Sequence, residues 1–133
     1  MIYMFDTDTV SFFIKDNPKS IRERTVKHNK DEFCISAVTL AELMFGLKRN
    51  YSKQLDFWLN EILIKFNVIA FDDVSAEIYG EIRVALEKSG KPLDNMDMLI
   101  AASAMKVGAI LVSHNAKHFS RIKGLKVEDW CMQ

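Results

Sequence analysis

Three carboxylates far apart in the chain, Asp6, Glu42 and Asp97, occupy positions where acids are costly. Asp6 closes the apolar run Ile2, Tyr3, Met4, Phe5, and the other two start from the apolar stripes of helical segments. Burial without a partner disfavours the charged form of a carboxylate, so isolated acids are rarely kept in such places. A set of them makes sense around a bound cation. Asp6 falls just past the carboxyl end of what reads as a short buried strand, where open α/β sheets place their ligands.

Each acid has a plainer alternative. Asp8 shares the strand-to-helix turn with Asp6, where backbone donors and a helix N-terminus orient a carboxylate toward a cation or phosphate, but Asp is equally a preferred helix cap. Glu42 lies beside Val38, Ala41 and Met44 or Phe45, and a solvated Glu at the edge of that stripe is the competing assignment. Asp97 sits among Met96, Met98, Leu99, Ile100, Ala101 and Ala102, a segment apolar almost all round. That pattern implies burial, and a buried Asp must have a partner.

The elements that position these acids alternate. After the first strand, Thr7 or Asp8 can cap a short helix through Ile14; Asp16, Asn17 and Pro18 break it, and a helix of mixed charge runs to about His28. Phe33 to Ile35 reads as a second strand. Ser36 then precedes AVTLAELMFGLKR, whose apolar residues recur at helical spacing, and Gln54 to Lys65 forms another helix. Val68 to Phe71 is a third strand, Val74 to Lys88 a helix closed by Ser89 and Gly90. Asp94 or Asn95 caps MDMLIAASAMKV, Gly108 ends it, Ala109 to Val112 is a fourth strand, and a last one lies near Leu125 to Val127. Strands alternating with helices predict an α/β fold, a central parallel sheet of four to five short strands flanked by helices.

Length and composition set limits. The 133 residues suit a single domain over 1–133, and 49% apolar with 27% charged residues is an ordinary globular balance. The formal net charge of zero offers no whole-protein attraction for nucleic acid, so any such binding needs a local patch or a partner. Cys34 and Cys131 stand in no metal-ligand or redox spacing, which argues for a reduced protein without a disulfide framework. There is no signal-like start and no apolar run of bilayer-spanning length, which places the chain in the cytoplasm, away from membranes.

Four segments, YMFDTDTVS, ISAVTLAELMFGLKR, GKPLDNMDMLIAASAMKVGAILVSHNAKHF and GLKVEDW, give the chain a specific likeness. In order and spacing they resemble PIN-domain ribonucleases, more closely the VapC toxins of bacterial toxin–antitoxin pairs, and most closely those that cut initiator tRNA in its anticodon loop. The resemblance implies an acidic pocket with one or two Mg²⁺ or Mn²⁺ ions, its acids matching Asp6, Glu42 and Asp97. Hard divalent cations take oxygen ligands, and Mg²⁺ keeps several waters, one of which can attack a phosphodiester. It further implies a homodimer, a VapB-type antitoxin whose C-terminal segment covers the pocket, and DNA binding through the antitoxin alone.

Two departures stand out. The family usually has Asn where this chain has Asp8. A fourth acid often follows the Val112 strand, yet Ser113, His114, Asn115, Ala116, Lys117 and His118 include none, which bears on a second metal. Asn115 can bind a metal-held water or the phosphate, and His114 or His118 can touch RNA or sit in a surface loop. Positive charge for RNA is offered by Lys48, Arg49, Lys91 and Lys117, each equally a solvated residue. Two other functions compete. Asp6-Thr7-Asp8-Thr9-Val10 also fits the nucleophile motif of haloacid-dehalogenase-like phosphatases, where Ser36 can serve as the required hydroxyl and Asp72 with Asp73 superficially as the acidic pair, but no Lys stands in a suitable place. A non-catalytic interaction module whose acids bind a structural cation is the third.

Overall fold

The computed structural model describes residues 1–131. Its elements in chain order are β1 (Ile2–Phe5), α1 (Thr7–Lys15), α2 (Ser20–Lys27), β2 (Glu32–Ser36), α3 (Ala37–Arg49), α4 (Lys53–Lys65), β3 (Asn67–Ile69), α5 (Asp73–Lys88), α6 (Asn95–Val107), β4 (Ile110–Val112), α7 (Ala116–Phe119) and β5 (Lys126–Glu128). The five strands form one sheet in the order β3-β2-β1-β4-β5, and every pairing is parallel. Parallel neighbours need crossovers, which the helices supply on both faces.

Strand alternation divides the core in two. Tyr3, Phe5, Ile35, Ile110 and Val112 point to one face, against Val10, Ile14, Ile21, Leu59, Ile62 and Trp130. Met4, Cys34 and Leu111 point to the other, against Ile82, Leu86, Met98 and the alanines of α6. The central strands are therefore covered twice, which is why they read as unbroken apolar runs. Ala101, Ala102 and Ala104 are fully buried, so α6 lies close to the sheet.

Helix starts follow short polar side chains. Asp6, Ser36, Ser52, Asp72 and Asp94 each accept a hydrogen bond from a backbone N–H in the first turn of α1, α3, α4, α5 and α6. The cap of α1 is thus Asp6, in place of the expected Thr7 or Asp8, because the chain leaves β1 extended for only one residue before turning. Gly108 closes α6 at φ 67°, a left-handed conformation that suits glycine.

Two elements differ from the expected ones. β3 spans Asn67–Ile69, earlier than Val68 to Phe71, because as an edge strand it pairs only with Cys34, Ile35 and Ser36. α7, a single turn, carries too little periodicity to be visible in sequence.

Trp130, 0% exposed, closes the first core face. Its ring lies 5.0 Å from Tyr3 and 5.7 Å from Phe5, stacks on His28 at 5.1 Å, and its Nε1–H donates to Glu128 at 2.9 Å. Trp130→Ala should cost about 3–5 kcal/mol of stability, read as a lower urea midpoint at unchanged slope.

Candidate functional site

The strand order reverses between β1 and β4: the chain passes from β1 to β2 and β3 on one side, then returns to build β4 and β5 on the other. In doubly wound sheets the crevice beyond the carboxyl ends at such a reversal is where ligands bind. Asp6 occupies it. Its backbone N–H donates to the Val112 carbonyl across the crevice at 3.3 Å, and its carboxylate accepts from the Thr9 N–H at 2.9 Å, with the Ser113 side chain close enough to offset part of the rise in its pKa. The Thr9 hydroxyl adds a bond to the same Val112 carbonyl at 2.8 Å. Asp6 is only 4% exposed, and burial raises its pKa despite those donors, with the nearby Asp8 charge adding to the rise.

Glu42 reaches the crevice from α3, the helix that begins at the carboxyl end of neighbouring β2. The Thr7 hydroxyl donates to Glu42 Oε1 at 2.6 Å, and Thr39 Oγ1 lies 3.3 Å from Thr7 Oγ1. Asp97 comes from the first turn of α6. Its carboxyl is pushed up to about 6, first by burial and then by the charges of Asp94, Asp6, Glu42 and Asp8. Five acids from three elements and the turns before two of them therefore feel one another.

None of the ion pairs among the described residues reaches this group; the acids they engage are Asp16, Asp31, Asp72, Glu87 and Asp129. Mutually repelling carboxylates, Asp6 buried and Glu42 and Asp97 half-buried, with none of them in an ion pair, fit a hard divalent ion, which takes oxygen ligands and supplies positive charge. The acids do not gather within 4.8 Å of one another as a ready ligand triad. A hard divalent ion that keeps waters of its own can be held without every carboxylate touching it.

The structure thus brings together Asp6, Glu42 and Asp97, with Asp8 exposed at the rim on the first turn of α1. Asn115 lies close by, its backbone N–H donating to the hydroxyl of Ser113, the residue beside Asp6. Of the four cations expected at an RNA surface, Arg49 alone lines the groove of about 460 Å³ that holds Thr7 and Glu42. Lys48 and Lys117 are exposed on α3 and α7, and Lys91 precedes α6, its carbonyl accepting from Arg121 at 2.7 Å. Lys15 also lines the Glu42 groove. It was not nominated from sequence, and neither were Thr7, Ser113 and the charge of Asp94. Thr7 and Ser113 had a signal, a small hydroxyl residue within two positions of a strand's carboxyl end.

The phosphatase arrangement does not form. Asp72 caps α5 beyond edge strand β3 and pairs with Lys106 at 2.8 Å, which holds its carboxyl at about 2. Ser36 caps α3 and shares a hydrogen bond with Ser103 at 3.1 Å.

Fold and pocket together define a parallel α/β domain with an uncompensated acidic crevice at its switch point. The family described as "PIN domain" matches residues 3–125. The chain is 36% identical over 130 residues to the tRNA(fMet)-specific endonuclease VapC of Salmonella typhimurium, covering 97% of this chain and 98% of that protein. It superposes on Rickettsia felis VapBC2, solved bound to a DNA fragment from its promoter, with a TM-score of 0.90 at 35% identity, over 98% and 99% of the two chains. VapBC-1 of nontypeable Haemophilus influenzae gives 0.85 at 34% identity, over 98% of each. The chain belongs to the PIN-domain family and, within it, to the VapC ribonucleases. Nucleases of this fold generally work with divalent metal ions.

Asp97 carries a pH-dependent cost. Its folded pKa of about 6 exceeds the ordinary 3.8, so the folded state binds more protons between those values and stability falls as pH rises through them. Asp97→Asn removes that loss. In EDTA near pH 7 the variant should melt about 2–4 °C above the wild type, the gap closing toward pH 4, as read by calorimetry.

Proposed function

We propose that this chain is the toxin of a VapBC-type pair, an endoribonuclease that hydrolyses phosphodiester bonds in RNA, with the anticodon loop of initiator tRNA as its target. The observation that carries the chemistry is the acidic crevice without an ion-paired cation, with Asp97 pushed up to about 6 first by burial and then by the surrounding acids. The tRNA target rests on the Salmonella relative named for that activity. Asp6, Glu42 and Asp97 are the residues that hold the ion, Mg²⁺ or Mn²⁺, with Asp8 and Asn115 as accessory groups. When bound there, such an ion activates water and offsets the charge that gathers on the phosphoryl oxygens.

The chain's own residues prepare that chemistry. The Thr9 N–H holds the Asp6 carboxylate, the Thr7 hydroxyl holds Glu42, and the capped first turn of α6 carries Asp97. Asp6 and Glu42 are thereby pre-oriented before substrate arrives. Because the ion competes with protons for these oxygens, activity should rise with pH through about 6, the value to which Asp97 is pushed. Arg49 and Lys15, beside Glu42 in one groove, give RNA phosphates a positive edge that a net charge of zero does not otherwise supply.

The VapBC complexes among the structural neighbours support an antitoxin as partner. A cationic side chain of that antitoxin, laid into the crevice, would neutralise the acids as a metal does. DNA contact belongs to the antitoxin, and the toxin pairs with a second copy of itself within the assembly. Among the described residues no helix is long and apolar enough to cross a membrane, in keeping with a cytoplasmic site of action.

Antitoxin-free protein incubated with total tRNA should release discrete fragments with Mg²⁺ and none with EDTA. Asp6→Asn, Glu42→Gln and Asp97→Asn should each lower the rate on the order of 10²–10³-fold. Phosphate release from p-nitrophenyl phosphate without tRNA cleavage would overturn the assignment. Binding to uncleavable RNA reads the groove separately: Lys15→Ala and Arg49→Ala should each weaken it and reduce the salt slope by about 1. Lys91→Ala, with unchanged affinity at several salt levels, would lie outside the footprint.

A further inference from the structure

Among the described residues, the one place where three ligand-type side chains gather tightly lies beside the acidic crevice. A ring nitrogen of His114, a carboxylate oxygen of Asp129 and Sγ of Cys131 all fall within 4.8 Å of one another. His114 follows Ser113 at the end of β4, and the other two lie just after β5, so the group joins two segments that the sheet sets side by side.

The ligands are held in place by the fold. His114 Nδ1 is 3.2 Å from Asp129 Oδ2, and Asp129 Oδ1 accepts the Cys131 N–H at 2.9 Å, which orients the carboxylate. Arg24 Nη1 donates to the Asp129 carbonyl at 3.3 Å and the Ser20 hydroxyl to the Cys131 carbonyl at 3.4 Å. Between the two ligands, Trp130 is fully buried. Little ordering remains to be done on binding. The His114 side chain is 55% exposed, Asp129 21%, so an ion can enter and keep a water on its open side.

The donor set selects the cation. A thiolate, an imidazole and one carboxylate suit a borderline, thiophilic divalent ion that accepts four ligands, with bonds of about 2.0–2.3 Å. Mg²⁺ and Mn²⁺ prefer oxygen, so they belong in the crevice. We propose that His114, Asp129 and Cys131 form a site for a divalent cation of the Zn²⁺ class, separate in chemistry from the all-oxygen crevice and next to it. Binding forms an Sγ–metal bond, and the thiol proton passes to solvent. The bound ion clamps the β4–α7 turn to the segment after β5. Ser113, the residue before His114, lies beside Asp6, so the clamp borders the loop next to this acid. The inference does not depend on which RNA is cut or on whether Asp6, Glu42 and Asp97 catalyse.

The test uses tag-free, full-length protein stripped with EDTA and titrated with Co²⁺, a spectroscopic stand-in for Zn²⁺. One equivalent should produce thiolate-to-cobalt charge-transfer absorption in the near ultraviolet with intense tetrahedral visible bands. Zn²⁺ should displace it and a large excess of Mg²⁺ should not. Cys131→Ser and His114→Ala should each abolish the band or weaken Co²⁺ binding at least tenfold, whereas Cys34→Ala should leave it intact. Near-ultraviolet circular dichroism confirms that each variant is folded. Absence of the band in the wild type, its survival in folded Cys131→Ser, or its loss in folded Cys34→Ala would overturn the proposal.

Discussion

A carboxylate buried at the end of the central strand is the constraint on which the rest of this structure turns. Asp6 cannot be moved to solvent, because β1 is paired on both sides and covered on both faces. Its charge must be met where it stands. The Thr9 N–H meets part of it, yet desolvation still raises its pKa. Bringing Glu42 and Asp97 to the same crevice adds repulsion that none of the ion pairs among the described residues relieves. Such an arrangement is stable as a fold only because the two apolar layers around it are extensive, and it is useful only when something positive enters it.

Those layers explain how the acids are aimed. β1, β2 and β4 end together at one edge of the sheet, and the turns or helices following them carry Asp6, Glu42 and Ser113. α6, rich in alanine and pressed against the sheet, brings Asp97 to the same edge from its first turn. The polar caps serve twice: Asp6 starts α1 and lines the crevice, and Asp94 starts α6 and adds its charge to Asp97. Helix capping and site building use the same residues because both need an oxygen just beyond a strand or at a helix start.

Charge is segregated although its sum is zero. The acids of the crevice stay unpaired, while Asp72 and Asp129 on its flanks pair with Lys106 and His114. Lys15 and Arg49 edge the Glu42 groove without neutralising it. A nuclease has to attract a polyanion to a place that is itself negative, and this division of charge is compatible with that requirement only when metal or a cationic partner occupies the crevice.

The alternation of apolar runs and helical periods was sufficient to read a parallel sheet flanked by helices, since period 2 and period 3.6 are local properties of the chain. Asp6 and Asp97 were legible as site candidates because an acid beside apolar runs is improbable without a partner. The edge strand β3 and the single turn α7 were not legible, since pairing and packing decide short elements more than their own residues do. Sequence could not show that Thr7 holds Glu42, that the Thr9 N–H holds Asp6, or that Lys15 and Arg49 share one groove. Nor could spacing group His114 with Asp129 and Cys131, because their meeting depends on β4 and β5 lying side by side. Local chemistry was written along the chain. Which charges face one another was decided by the order of strands in the sheet, a long-range property that no window of residues contains.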